Sequence, residues 1–486
     1  MTLAYATLPP VTEALPRSLG GATEPAFSAA ELAHLTGGHL LRASARPIRR
    51  ASVDSRSISR GALFVALPGE RTDGHDHIDA AVAAGAAAIV VTRPLDAARL
   101  ERLGDVTVVR VDDGIHALRA LATAWRDRFD PIVVGVTGSI AKTSTKEAIA
   151  AVLGRRFTTL RSQGNRNNEI GLPLTLLDLA PEHEAVVLEM GMYVEGEIAD
   201  LAAIARPRIG VVTAVQPVHL SRIGSIDAIE RAKGELVEAL PSSGTAVLNA
   251  DDGRVARMAS RTVAAVVTYG FAVDAAVRAM EVESRAGDGM RFLLQTPVGS
   301  RAVETPALGR HGVHNALAAA AAGLAAGCSL DEVVAGLAVG WAAPHRDRLV
   351  RAGDVTVLDD SYNASPVSMA AALDLLATLP GTRRIAVLGE MLELGDARDE
   401  GHRAVGVRAA EVADLVIVVG AEAASLAASA RASSRLAGRV LEAPDAAAAF
   451  DLLRPRLSPG DVVLVKGSRG IGLEIVVDRL VAEAGA

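Results

Sequence analysis

Short apolar runs recur along the chain, and each is followed by a polar turn and a stretch with helical character. The run at 132–136 (IVVGV) has the length and β-branched content of a buried parallel strand, and the turn after it leads into a helix at Lys142. Comparable runs occupy 86–91, 185–191, 209–215, 384–388, 415–419 and 462–465. This alternation predicts an α/β protein whose sheets are mostly parallel.

The length of the chain indicates several hydrophobic cores. At 486 residues, three domains of about 100–200 residues each are expected. We predict a flexible leader at 1–26, a small α/β domain at 27–127, a central phosphate-loop domain at 128–345 and a Rossmann-like domain at 346–486. The Ala-rich helix of the central domain is predicted to open at His314.

The segment 132–147 (IVVGVTGSIAKTSTKE) is typical of a strand, a phosphate-binding loop and a helix. Gly138 would let the backbone approach a phosphate, Lys142 could reach terminal phosphate oxygens, and the Thr143 hydroxyl could hold Mg²⁺. Ala141 stands where the strict phosphate-loop pattern has glycine. The pattern therefore favours nucleotide binding over a plain strand-to-helix connection.

Polar residues follow other strands of the predicted central sheet. Glu189 ends the run at 185–191 and could ligate the metal of a bound nucleotide, although a strand-end Glu can also be merely exposed. His219 and Lys233 lie beyond the next strand, and their spacing alone does not decide between a second metal position and structural roles. The amide-rich segment 162–171 suits peptide recognition, or it forms an Asx-rich turn.

The first and third domains also carry polar residues at strand ends, where ligands of α/β sheets bind. Residues 54–56 (DSR) precede the predicted strand at 61–67, and residues 69–76 follow it. In the third domain, the strand at 355–359 delivers the acids, phenol and amide of 359–363 (DDSYN). Polar loops are common in proteins, so these segments by themselves leave function and plain connection open.

Composition excludes several classes of protein. The formal charge of −7 and the pI near 5.9, with scattered Lys and Arg, argue against a nucleic-acid partner. Cys328 is the sole cysteine, so neither an intramolecular disulfide nor a multi-cysteine zinc site can form. No uninterrupted strongly apolar run approaches the roughly 20 residues of a membrane span. We expect a cytoplasmic protein with no membrane insertion.

Taken together, these motifs resemble the Mur ligases, the ATP-dependent amide-bond-forming enzymes of peptidoglycan synthesis. The resemblance runs over nearly the whole chain from about Phe27. Its most specific motifs are FVALPG at 64–69 with DGH at 73–75, GNRNNEIG at 164–171, and DDSYNASP at 359–366. Several independent motifs in the same order are more specific than one phosphate loop.

The resemblance implies an N-terminal domain that holds a UDP-sugar, a central ATPase and a C-terminal domain that closes over the nucleotide. It also implies the substrates. A Mur ligase with these motifs uses ATP and Mg²⁺ to join D-alanyl-D-alanine to UDP-N-acetylmuramoyl-tripeptide through an acyl phosphate. We expect it to act as a monomer.

By position, the resemblance assigns each candidate residue a role. Those expected to bind nucleotide are Gly138, Ser139, Ala141, Lys142, Thr143, Ser144, Asn315, Arg348 and Asp360. Those expected to hold metal are Thr143, Glu189, His219 and Lys233, with Lys233 matching the lysine that family members carbamylate. Those expected to face the other substrates are Asp54, Ser55, Arg56, Asn165, Asn167, Asn168, Tyr362 and Asn363. Lys142, His219, Lys233 and Arg348 are expected to serve catalysis.

Three positions depart from the family pattern. Ala141 and Asp347 stand where glycine is usual, and Ala214 stands where Asn is common. We expect activity to survive because the other catalytic positions are kept. Two alternatives remain: a Mur-like amide ligase with another acid and amine pair, and a nucleotide-binding homologue without catalysis.

Overall fold

The computed structural model describes residues 25–69, 72–217 and 223–485. This part of the chain forms three sheets, and each sheet lies within one of the three domain ranges predicted above. The predicted α/β class is confirmed. Residues 1–24 of the predicted leader and His219 lie outside the described residues.

The first sheet has the strand order β1-β5-β4-β3-β2, with β1 antiparallel to β5 and the other neighbours parallel. Its strands are β1 (His39–Arg42), β2 (Ala51–Ser52), β3 (Leu63–Val65), β4 (Ala88–Val91) and β5 (Thr107–Arg110). Its helices are α1 (Ala29–Thr36), α2 (Ile78–Ala83), α3 (Ala97–Arg102) and α4 (Gly114–Arg126). A capping box between Ser28 and Glu31 fixes the start of α1.

The central sheet has the order β14-β13-β12-β11-β10-β9-β6-β8-β7. The pairs from β7 to β12 are parallel, and the hairpins at the far edge are antiparallel. The strands are β6 (Ile132–Thr137), β7 (Thr159–Arg161), β8 (Ala185–Glu189), β9 (Ile209–Val212), β10 (Thr245–Asn249), β11 (Ala265–Gly270), β12 (Val277–Ser284), β13 (Met290–Thr296) and β14 (Gly299–Thr305). The helices are α5 (Lys142–Leu153), α6 (Gly171–Leu176), α7 (Glu197–Ala205), α8 (Ile226–Glu238), α9 (Gly253–Arg257), α10 (Gly309–Ala325) and α11 (Leu330–Val339).

Small residues of α10 let it pack closely on the phosphate-loop helix α5. A Cβ on Gly323 would come within 2.5 Å of Val152 Cγ1. The predicted start of this helix at His314 was wrong, because α10 begins at Gly309. Glycines have poor helix propensity, so Gly309 and Gly312 hid the first turn from a reading of sequence alone.

The third sheet has the order β15-β16-β20-β17-β18-β19, parallel except for β15. Its strands are β15 (Arg348–Ala352), β16 (Val355–Asp359), β17 (Arg383–Gly389), β18 (Leu415–Val419), β19 (Val440–Ala443) and β20 (Asp461–Lys466). Its helices are α12 (Pro366–Thr378), α13 (Arg398–Val412), α14 (Ala424–Arg431), α15 (Ala446–Leu453) and α16 (Glu474–Ala484). Both faces of the sheet are covered by apolar clusters, as expected for a doubly wound domain.

The first two domains share one apolar cluster. Helix α4 packs on α6, and the Trp125 indole Nε1 donates to the Leu179 carbonyl at 3.0 Å. This contact fixes the N-terminal domain against the central sheet. None of the helices in the described ranges has both the length and the apolar character that crossing a bilayer requires.

Candidate active site

A cavity of about 720 Å³ lies between the central and third domains. Residues that follow the carboxyl ends of β6 and β8 line one side, and residues that follow β16, β17 and β20 line the other. Ligands of α/β sheets bind at such edges. The predicted site residues in its wall are Gly138, Ser139, Ala141, Lys142, Thr143, Ser144, Asn165, Asn167, Asn168, Glu189, Lys233, Asn315, Asp360, Tyr362 and Asn363.

The phosphate loop is held against β9 so tightly that one position requires glycine. Gly138 has φ +147°, and a Cβ there would lie 1.8 Å from Thr213 Oγ1. The Thr213 hydroxyl in turn donates to the Ile140 carbonyl at 2.6 Å. Ser139 N donates to the Ala214 carbonyl at 2.8 Å. Since the backbone of Ala214 makes this contact, the loop is anchored without an Asn side chain at that position.

Ala141 is the residue immediately before helix α5 and adopts a left-handed conformation, with φ +64° and ψ 1°. A non-glycine residue in this region is strained by about 1 kcal/mol or more. Ala141 thus keeps the left-handed conformation that a glycine would adopt without strain. Lys142, Thr143 and Ser144, the first residues of α5, all line the cavity, so the start of the helix faces the place where a phosphate would bind.

Lys142 is turned back over the loop. Its Nζ donates to the Gly138 carbonyl at 2.9 Å. Burial lowers the pKa of Lys142, Glu189 opposes that shift, and the nearby charge of Arg346 adds to it. A buried cation with a carbonyl partner has donors that can be redirected to an incoming phosphate.

Glu189 is the buried centre of a hydrogen-bond network. Its carboxylate accepts from Thr143 Oγ1 and from Asn167 Nδ2, both at 2.8 Å. Its backbone N donates to Ser162 Oγ at 3.2 Å. The hydroxyl of Thr143 and the carboxylate of Glu189 thus meet beside the phosphate loop, as ligands of a nucleotide-bound Mg²⁺ would.

In the described ranges no three His, Cys, Asp or Glu side chains converge into a metal cluster. This does not conflict with Mg²⁺, which takes one or two protein oxygens and completes its shell with waters and phosphates. Lys233 on α8 lies in the same cavity with 2% of its surface exposed. Burial, and then the charge of Lys142, lower the pKa of Lys233 well below its usual value.

The amide segment is anchored by a residue that the sequence analysis did not single out. Lys146 is fully buried, and its Nζ donates to the Ser162 carbonyl at 2.6 Å. Asn168 Oδ1 accepts from Ile170 N at 3.4 Å and from Gly171 N at 2.9 Å, so part of this segment is indeed an Asx turn. The two interpretations of the segment are compatible, because Asn165 and Asn167 remain on the cavity wall.

The third domain contributes charges that the sequence analysis also missed. Lys466, at the end of β20, donates from Nζ to Asp360 Oδ2 at 2.5 Å and to the Asn363 carbonyl at 2.9 Å. Arg346, at the start of this domain, and His311, on α10 of the central domain, line the same cavity. One signal could have revealed Lys466, since it is a lysine at the tip of a buried strand, next to Gly467.

Some predicted residues do not line this cavity. Asp54, Ser55 and Arg56 lie in the first domain, where the Asp54 carboxylate pairs with the Arg56 guanidinium at 2.7 Å near the surface. Arg348 is the exposed first residue of β15, and Arg346 lines the cavity instead. The roles of these four residues stay predictions.

Sequence profiles of protein families match all three domains: the "Mur ligase family, catalytic domain" at 47–126, the "Mur ligase middle domain" at 136–323 and the "Mur ligase, glutamate ligase domain" at 345–469. The UDP-N-acetylmuramoyl-tripeptide--D-alanyl-D-alanine ligase of Synechocystis is 38% identical over 439 residues, 90% of this chain and 92% of that protein.

Solved structures agree with the sequence matches. A crystal structure of MurF from Acinetobacter baumannii superposes with a TM-score of 0.83 at 31% identity, over 94% of this chain and 99% of that one. MurF from Thermotoga maritima in complex with ADP gives a TM-score of 0.77 at 29% identity, over 90% and 98%. The chain belongs to the Mur ligase family.

Proposed function

We propose that this protein is an ATP-dependent ligase that joins D-alanyl-D-alanine to UDP-N-acetylmuramoyl-tripeptide in peptidoglycan precursor synthesis. The relatives that cover nearly the whole chain carry the name of this activity. The observation that carries the proposal is the convergence of the phosphate loop, the Glu189 network and the third-domain residues Asp360 and Tyr362 on one cavity. Such a cavity can hold a triphosphate beside a peptide carboxylate.

The first step transfers a phosphoryl group. A carboxylate oxygen of the tripeptide attacks the γ-phosphorus of ATP, the bond from phosphorus to the β–γ bridging oxygen breaks, and ADP leaves with that electron pair. The chain contributes position and charge, because little covalent chemistry is asked of a protein in phosphoryl transfer. The amides that open α5 and the ammonium of Lys142 hold the phosphates in line with the carboxylate.

The second step forms the amide. The amine of D-alanyl-D-alanine attacks the acyl carbon, the nitrogen loses a proton, and the carbon–oxygen bond to phosphate breaks from the tetrahedral intermediate. No side chain becomes covalently attached. The amide side chains of Asn165 and Asn168 supply donors and acceptors without charge, which suits them to orient peptide groups in the cavity.

Thr143 and Glu189 fit Mg²⁺, and Lys233 as a carbamate, together with His219, would complete a second position. When bound, these ions neutralise charge that builds up on the phosphate oxygens. The depressed pKa of Lys233 supports the carbamate, because the neutral amine is the form that attacks CO₂. His219 lies outside the described residues, so its part rests on the family resemblance.

The remaining assignments complete the proposal. Asn315, Asp360 and Arg348 are proposed to contact the nucleotide. Tyr362 and Asn363 are proposed to lie on the face of the third domain that closes over the substrates. Asp54, Ser55 and Arg56 are proposed to bind the UDP-sugar. We propose that the protein acts in the cytoplasm and as a monomer. Residues of a single chain surround the cavity on both sides, which supports the monomer.

The test measures ADP release with purified protein, ATP and Mg²⁺, while the tripeptide substrate and the dipeptide substrate are each omitted in turn. Full turnover is expected only with both UDP-N-acetylmuramoyl-tripeptide and D-alanyl-D-alanine present, and Lys142→Ala should abolish it. Release with a different acid and amine pair, but not with this one, would show another Mur-like ligase. Tight ATP binding without any turnover would show a non-catalytic homologue.

A further inference from the structure

A loop of the third domain gives the cavity a wall that is mainly apolar. The loop is residues 390–394, which follow β17, and its Leu392, Glu393 and Leu394 line the cavity. Helix α12 of the same domain adds Ala371. Apolar side chains beside a carboxylate offer nothing to a phosphate, but they fit a ligand that carries methyl groups and an amine. This apolar wall is therefore suited to an alanyl dipeptide rather than to a nucleotide.

Two side chains from outside the loop hold its backbone in place. Met391 N donates to Nε2 of His402 on α13 at 3.0 Å, and Leu392 N donates to Ser468 Oγ at 2.9 Å. Ser468 N in turn donates to the Glu390 carbonyl at 3.0 Å. Ser468 lines the cavity, whereas His402 lies behind the wall. The loop is thus fixed from the side of β20 and from the side of α13.

His402 holds the loop as a neutral ring. The side chain is fully buried, and because Nε2 accepts from Met391 N, the ring proton is on Nδ1, which donates to the Arg398 carbonyl at 2.9 Å. Burial lowers the pKa of His402. The Arg398 carbonyl and the charges of Glu390 and Asp399 oppose that shift, and the charge of Arg398 adds to it. The acceptor on Nε2 is therefore kept at neutral pH.

Helix α13 packs closely behind the apolar wall. A Cβ on Gly401, the neighbour of His402, would lie 2.8 Å from Pro366 Cγ and 3.2 Å from Leu394 Cδ1. The helix therefore touches both the first turn of α12 and the loop. Because packed interiors leave little free volume, a change at His402 reaches the side chains that face the cavity.

We propose that His402 is a positioning residue for the second step of the reaction, which holds Met391 so that Leu392 and Leu394 are in place to receive D-alanyl-D-alanine. This inference rests on the proposed function. His402 itself touches no substrate and acts through the loop. The phosphate loop belongs to the central domain, so ATP binding does not depend on this contact.

Loss of the contact should appear in KM rather than in kcat. Without the bond to His402, the loop keeps its binding position in only a fraction of the molecules, and the apparent affinity for the dipeptide falls by that fraction. At saturating dipeptide the loop is in place again, so the chemical steps proceed at nearly the usual rate. A residue that served only the stability of the fold would not produce this difference between the two substrates.

The test measures ADP release by wild type, His402→Gln and His402→Asn, with KM determined for the dipeptide and for ATP. Glutamine can place an amide oxygen near the position of Nε2 and accept from Met391 N, whereas asparagine is too short and leaves that N–H without its acceptor. His402→Asn should raise the KM for D-alanyl-D-alanine about 10-fold, with kcat and the KM for ATP changed less than about threefold. His402→Gln should remain within about threefold of wild type in all three parameters.

His183→Gln is the matched control. His183 Nδ1 also accepts from a backbone N–H, that of Ala180, at 3.0 Å, but it lies outside the cavity wall, so its kinetics should equal those of wild type. A His402→Asn enzyme with an unchanged KM for the dipeptide, or with an equal rise in the KM for ATP, would overturn the inference while the proposed ligase activity stands. A wild-type protein that releases no ADP with both substrates would overturn the ligase activity itself.

A pH profile tests the same contact without the asparagine variant, should that variant fail to fold. A proton on Nε2 of His402 removes the acceptor as pH falls below the usual histidine pKa of about 6.5. Between about pH 7.5 and pH 5.5, the KM for the dipeptide should therefore rise more in wild type than in His402→Gln, whose amide does not titrate. Protonation of the dipeptide amine affects both proteins alike. An equal rise in the two proteins would overturn the inference.

Discussion

Asp347 Oδ1 lies 3.0 Å from His311 Nε2, and this ion pair joins the residue before β15 to helix α10. Asp347 has φ +47°, a left-handed conformation that favours glycine. The ion pair with His311 thus explains in part why an aspartate stands where glycine is usual. The pair ties the third domain to the central domain beside the cavity.

The pair should make stability depend on pH. Burial opposes protonation of His311, but Asp347, with Asp360 adding to it, raises the pKa of His311 above its usual value. A raised pKa means that the stabilisation is complete below the unfolded value of about 6.5 and is lost as pH rises through the folded value. At pH 6 the unfolding free energy of wild type should exceed that of Asp347→Asn by about 1 kcal/mol. The difference is no larger because both side chains of the pair are 27% exposed, so solvent screens their charges. It should disappear toward pH 9, as His311 loses its proton.

Thermal unfolding of both proteins across this pH range checks the prediction. Asp354→Asn, at an exposed site in the turn between β15 and β16, controls for the loss of a negative charge. Lys466 and Arg346 also act on Asp347, and both lower its pKa. An Asp347→Asn difference that grows with pH would contradict the prediction.

Gly138→Ala should abolish turnover. The new Cβ would lie 1.8 Å from Thr213 Oγ1, and Thr213 is itself bonded to the loop at the Ile140 carbonyl. Either the threonine or the loop must move, and a displacement of about 1 Å at a reacting group can cost about 100-fold in rate.

Steady-state ADP release measures the loss of turnover in Gly138→Ala. Gly104→Ala is the matched control, because Gly104 also has a positive φ, +69°, yet nothing lies within 4 Å of an added Cβ. Equal activity in the two variants would contradict the steric argument.

Asn167→Ala should raise the Mg²⁺ concentration needed for half-maximal rate. Asn167 Nδ2 donates to Glu189 Oε1 at 2.8 Å and so orients the carboxylate beside Thr143. Partners that orient a metal ligand are worth about 10-fold or more in metal affinity. Titration of the rate with Mg²⁺ at saturating substrates gives the shift. Gln163→Ala, an exposed neighbour outside the cavity wall, should leave the Mg²⁺ requirement unchanged. An unaltered requirement in Asn167→Ala would count against the network.

The sequence predicted the parts of the site that are local in the chain. Lys142 and Thr143 follow from a strand, a loop and a helix that are continuous, and Glu189 follows from the end of an apolar run. Strand positions were close for the same reason, as at β8, where the run 185–191 contains Ala185–Glu189. A buried parallel strand has a hydrophobic signature that needs no knowledge of its neighbours.

The missed residues owe their roles to contacts between distant segments. Arg346 is defined by the ring of Tyr362, and Lys466 by Asp360, 106 residues away. No periodicity records such pairs, because domain packing brings them together. Backbone angles are hidden in a similar way: Ala141 was recognised as a departure from glycine, but its neighbours in space determine whether the strain is tolerated.

Lys146→Met should destabilise the protein although Lys146 touches no predicted ligand. Its ammonium is fully buried and contacts the Ser162 carbonyl at 2.6 Å and Glu147 Oε1 at 3.0 Å. Methionine keeps about the length of the lysine side chain but leaves both partners without their cation. Breaking a buried ion pair on one side costs about 3–5 kcal/mol, and the lower end applies here because Glu147 retains Arg161 at 2.6 Å.

Urea unfolding of Lys146→Met should therefore show a loss of about 3 kcal/mol, followed through the transition of the central domain. Arg155→Ala, an exposed cation just after α5, should change stability by less than about 0.5 kcal/mol. Lys146→Met combined with Glu147→Gln should recover part of the loss. The second change removes the carboxylate whose cationic partner the first change has taken away. A double variant that loses the sum of the two single effects would show that the lysine stabilises the amide segment through Ser162 alone.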